Sequence, residues 1–89
     1  MTYTETETAI ARAFDAKLRA EINEETYAEV IRRNRTSEYV CACASHDFCD
    51  ANMPMLEAYE RVTGCSFPDT EEEMDTWNRA WDAWRAMTA

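Results

Sequence analysis

The chain has 89 residues, 46% of them hydrophobic and 11% aromatic, with one glycine and two prolines, a composition that argues against a disordered polymer and a turn-rich β fold. Eighteen acidic residues against 9 basic give a formal net charge of −9, which repels nucleic-acid phosphates, so no direct nucleic-acid binding is expected. No run reaches the ~18 apolar residues of a membrane span, and the start MTYTETETAIARAF has no basic segment followed by an apolar one, so a single cytoplasmic domain over residues 1–89 is expected.

Thr4 and Glu7 match a capping box, and Ile10, Phe14, Leu18 and Ile22 recur at every fourth position, predicting a helix over about 5–22. Asn23 is placed to cap a second helix, about 24–34. It begins with Glu24 and Glu25, turns Tyr27, Val30 and Ile31 inward, and carries Arg32, Arg33 and Arg35 at its end, so charge suits the dipole at both ends. Residues Thr36 to Ser45 are too few to show a period and read as an extended connector or a short helix.

From Asp47, the positions Phe48, Cys49, Asn52, Met55, Leu56, Tyr59 and Val62 predict a third helix over about 47–63, closed by Gly64. Pro54 falls inside that span, so the helix is expected either to bend there or to start just before it. After Phe67 and Pro68, Asp69 or Thr70 caps a fourth helix over about 70–87, with Glu71, Glu72 and Glu73 as anions in its first turn. In that helix Met74, Trp77, Trp81 and Trp84 alternate steps of three and four, which lines a sulfur and three indoles along one face, as core or as a seam for a second subunit. The sum is a small all-α domain of about four helices.

Four cysteines, Cys41, Cys43, Cys49 and Cys65, are expected to be reduced in such a context. Cys41, Cys43, His46 and Cys49 form C-x-C-x2-H-x2-C, soft and borderline ligands of the kind zinc prefers, but packed into nine residues, and small buried thiols beside a histidine explain them as well. They are weak metal candidates, and no cofactor is expected. A cysteine, His46 and either Asp47 or Asp50 could make a nucleophile, base and orienting acid only by residue identity, and one glycine cannot build a glycine-rich phosphate cradle. No enzymatic activity is expected.

The charge is uneven, with 8 acidic and 6 basic residues up to Ser45 but 10 acidic and 3 basic from His46 onward. Asp69, Glu71, Glu72, Glu73 and Asp75, together with Glu57, Glu60 and Asp82, are the candidate partner-binding residues, because carboxylates spaced along helices can stand in for phosphates against a basic groove.

The stretch SHDFCDANMPMLEAYERVTG, residues 45–64, resembles a group of short proteins encoded on phages, plasmids and related mobile elements, whose core is HDFCDANM. The resemblance covers less than a quarter of the chain and brings no catalytic residues with it. By size and charge such proteins are similar to anti-CRISPR and other counter-defence proteins. That type implies a stoichiometric inhibitor that blocks a nucleic-acid-binding surface of a host protein or ribonucleoprotein complex, without contact to nucleic acid or membrane. A homo-oligomer joined through the tryptophan face, as a homodimer for example, and a zinc-stabilised interaction module are the alternatives.

Overall fold

The computed structural model describes residues 2–36 and 46–88, with side chains placed for 2–32 and 54–88. Four helices follow in order: α1 (Glu5–Glu21), α2 (Glu24–Thr36), α3 (His46–Thr63) and α4 (Glu71–Met87), and no strand occurs among the described residues. The radius of gyration, 12.1 Å, is that of one folded unit of this length.

α1, α2 and α4 each begin where local chemistry satisfies free amides. The Thr4 hydroxyl accepts from the Glu7 amide at 3.1 Å while the Glu7 carboxylate accepts from the Thr4 amide at 2.9 Å. Thr70 and Glu73 repeat the same reciprocal pair at the start of α4, which makes Thr70 the cap and leaves Asp69 outside the helix. Asn23 accepts from the Thr26 amide at 2.8 Å and so starts α2, which runs two residues beyond its expected end. Replacing Thr70 with alanine removes the hydroxyl that Glu73 needs and should lower stability by about 1 kcal/mol, read as a small drop in melting temperature with helicity retained.

α3 runs from His46 through Pro54 to Thr63, so it does not begin at the proline. A proline there deprives the carbonyl four residues earlier of its partner, and the burial of Pro54, Met55, Ala58 and Tyr59 against the rest of the domain offsets that loss. Gly64 ends α3 with φ of +81°, a left-handed conformation that β-carbon-bearing residues rarely adopt, and its amide donates to the Glu60 carbonyl at 2.8 Å. The chain turns there towards α4.

α1 is the central helix and packs on both α3 and α4. Ile10, Ala11, Phe14 and Leu18 are buried from α1, Val30 from α2, Met55, Ala58 and Tyr59 from α3, and Ala80, Trp81, Ala83 and Trp84 from α4. Phe14 meets the edges of Trp81 and Trp84 at centroid distances of 4.9 and 5.0 Å, the geometry that ring quadrupoles favour. Trp77 is half-buried and packs edge-on to Tyr59 at 5.7 Å, whereas Met74 is exposed, so the inward stripe of α4 starts at Trp77 and not at Met74. Trp81 and Trp84 therefore belong to the core, and a seam between subunits built on those two indoles has no free face to use.

Candidate functional site

Three polar arrangements stand out above this core. The first is an acidic corner where α3 turns into α4. Glu60 on α3 accepts from the Ser66 hydroxyl at 3.0 Å, and Glu73 on α4 accepts from the amides of Asp69 and Thr70 at 3.1 and 2.9 Å. Glu60, Asp69, Glu71, Glu72 and Asp75 are exposed, and none of them is in an ion pair among the described residues.

Glu73 has a different role from its neighbours. Its carboxyl sits below the usual range because of the Thr70 amide, the Cys65 thiol and the Asp69 amide that donate to it. The same contact pushes the Cys65 thiol up, helped by burial, which holds that sulfur protonated and removes the thiolate a nucleophile would need. Glu73 is thus spent on the helix start.

Of the eight carboxylates expected to form one face, the structure gathers five exposed ones, Glu60, Asp69, Glu71, Glu72 and Asp75, around the α3–α4 corner. Asp82 lies two turns further along the Asp75 side of α4 and accepts from Arg85 at 2.8 Å. Glu57 is elsewhere, paired with Lys17 of α1 in a groove between α1 and α3. The exposed aromatic ring of Phe67, 60% accessible, sits in the corner loop between Ser66 and Asp69.

The second arrangement is centred on Asp15, a residue the sequence pattern did not single out. Its Oδ1 accepts from the Tyr27 hydroxyl of α2 and from the Trp84 indole of α4 at 3.1 Å, and its Oδ2 accepts from Arg19 Nε at 2.9 Å. Arg19 also lies over the Tyr27 ring, 4.4 Å from its centroid. Burial pushes the Asp15 carboxyl up, but the donors Tyr27, Trp84 and Arg19 outweigh it, and the group is held below the ordinary aspartate range. Glu7 follows the same logic: its side chain is 7% accessible, burial raises its pKa, and the Thr4 amide together with Arg79 at 2.9 Å brings it below the usual value.

The third is the groove that contains Glu57, lined by Arg12, Ala13, Ala16 and Lys17 of α1 and by Glu57, Ala58 and Arg61 of α3. Among the described residues no group of three histidine, cysteine or carboxylate side chains is placed to hold a metal ion. The side chains of Cys41, Cys43, His46 and Cys49, and the connector 37–45, lie outside the described residues. No described helix is long and apolar enough to cross a membrane.

In comparisons with protein-family models, curated proteins and solved structures, no match to this chain was found.

Proposed function

We propose that this chain is a small acidic protein-binding inhibitor, whose α3–α4 corner docks on the basic, nucleic-acid-binding surface of a protein or ribonucleoprotein complex and excludes the nucleic acid. The observation that carries the reading is the set of exposed carboxylates without ion-pair partners among the described residues, Glu60, Asp69, Glu71, Glu72 and Asp75, around a corner whose α4 is held in place by Trp77, Trp81 and Trp84. A fixed scaffold lowers the entropic cost of presenting several charges at once, and like charges gathered at one corner are stabilised by an oppositely charged surface. The resemblance of residues 45–64 to proteins of mobile elements makes a host defence complex in the cytoplasm the partner proposed, in the manner of an anti-CRISPR protein.

The test is a charge reversal that spares the helix start. In Glu71→Lys/Glu72→Lys/Asp75→Lys the capping pair Thr70 and Glu73 is untouched, so the fold should persist. The wild-type chain, tagged and expressed in a host cell, should retain a nucleic-acid-binding protein that is released by raised salt or by added duplex. The reversed variant should lose it by at least about tenfold. Retention of the same partner by the reversed variant, or indifference to added nucleic acid, would refute the reading.

A further inference from the structure

The groove between α1 and α3 encloses about 590 Å³ and differs in charge from the rest of this acidic chain. Its apolar lining is Ala13, Ala16 and Ala58, and its charged lining is Arg12 and Lys17 from α1 and Glu57 and Arg61 from α3. Lys17 is already engaged, with Glu57 and with Glu21 at 3.5 Å. Every other described lysine or arginine side chain is in an ion pair too, Arg19, Arg32, Arg79 and Arg85 included, except Arg12 and Arg61. The two cations left over among the described side chains thus line the same groove, in a chain of net charge −9, and both are exposed.

We infer that this groove docks a short acidic peptide segment of a partner protein, with Arg12 and Arg61 taking its carboxylates and the alanine lining receiving a small apolar side chain between them. Guanidinium groups bind carboxylates in paired hydrogen bonds, and alanines leave the depth for a side chain to enter. Several features disfavour other anions. Both walls are helical interiors, whose backbone amides are already used, so no nest of N–H groups exists to hold a phosphate. Glu57 in the wall and the net charge of −9 oppose a long polyanion such as nucleic acid, whereas a short segment meets mostly the local field within a Debye length. The α1 residues that reach α4, namely Glu7, Phe14 and Asp15, leave the helix on a different flank from Arg12, Ala13, Ala16 and Lys17. The groove therefore opens on a different flank of α1 from the one that meets α4, and this inference does not rest on the function proposed above.

Fluorescence anisotropy with a labelled seven-residue peptide of alternating glutamate and alanine tests it directly. Saturable binding at low salt is expected, weakened about tenfold or more in Arg12→Glu/Arg61→Glu. It should weaken likewise in Ala16→Leu, which keeps every charge and fills the exposed apolar lining. Circular dichroism should show the same helicity in all three proteins, since none of these side chains is in the core. Absence of saturable binding, or equal binding by the double reversal, overturns the proposal. Equal binding by Ala16→Leu overturns it as well, leaving unspecific charge attraction. Tighter binding of tripolyphosphate or duplex DNA than of the peptide would also overturn it, as would sedimentation showing a dimer of this chain that the double reversal dissolves.

Discussion

Trp84→Ala should lower the melting temperature by roughly 15–30 °C, the counterpart of about 3–5 kcal/mol in a domain of this length. Trp84 is fully buried, meets Phe14 at 5.0 Å and Trp81 at 5.9 Å, and donates its indole N–H to Asp15. Alanine leaves a cavity against α1 that the neighbouring rings cannot fill without giving up their edge-on contacts, and it removes one donor from a carboxylate that burial already disfavours as an anion. Since whole domains of this kind are stable by only about 5–15 kcal/mol, the variant should be partly unfolded at growth temperature. Trp84→Phe keeps an aromatic ring against Phe14 but loses the indole N–H and part of the buried volume, and should cost less than Trp84→Ala, about 2–3 kcal/mol. Thermal melts followed by circular dichroism measure both. A shift below about 5 °C for Trp84→Ala would mean that Trp84 does not anchor α4 on α1.

Asp15→Ala is the second large effect, about 2–3 kcal/mol, because it strands the Tyr27 hydroxyl and the Trp84 indole in partly buried positions and frees Arg19 from its ion pair. The loss should be felt most in α2, whose buried contribution to the core is Val30, with Tyr27 and Ile31 packed at its edge. Faster amide exchange confined to α2 would report this, and uniform exchange across all helices would contradict it. The pH dependence has a definite sign. Asp15 and Glu7 are both held below the usual carboxylate range in the folded chain, so the stability they contribute is fully present above the unfolded value, about pH 4, and is lost as pH falls through the lowered folded values. The wild-type melting temperature should therefore be flat from neutral pH down to about pH 5 and fall below pH 4. The fall should be shallower in Asp15→Ala.

How far the amino-acid sequence reveals this fold depends on whether a feature is local. The capping boxes Thr4–Glu7 and Thr70–Glu73 and the cap Asn23 involve residues three apart, and a pattern three residues long is visible in a string of letters. The spacing of Ile10, Phe14 and Leu18 likewise identifies the buried face of α1. The exposure of Met74 was not legible, since it shares the spacing of the tryptophans and only the point at which α4 meets Tyr59 of α3 decides where burial begins. Asp15 was hidden for a related reason. Next to Phe14 it reads as the polar edge of an amphipathic helix, and its partners Tyr27 and Trp84 lie 12 and 69 residues away. The candidate site shows the same division. Crowding of Asp69, Glu71, Glu72 and Asp75 at a helix start is a local property, but the separation of Glu57 from them follows from its pairing with Lys17 on α1, and the convergence of Arg12 and Arg61 follows from α1 lying on α3.

The central position of α1 also bears on how the chain is made. Of the four helices, α1 precedes the others, yet several of its partners come last: Asp15 waits for Trp84, Glu7 for Arg79, and the carbonyl of Thr2 accepts from an Arg79 side chain 77 residues downstream. α3 can cover only part of the stripe formed by Ile10, Phe14 and Leu18, so the nascent chain keeps apolar surface exposed until α4 has emerged, and folding should then be completed as a single cooperative event. A stop codon anywhere before Trp81 should yield a polypeptide whose core lacks Trp81 and Trp84, prone to proteolysis, however complete its first three helices are.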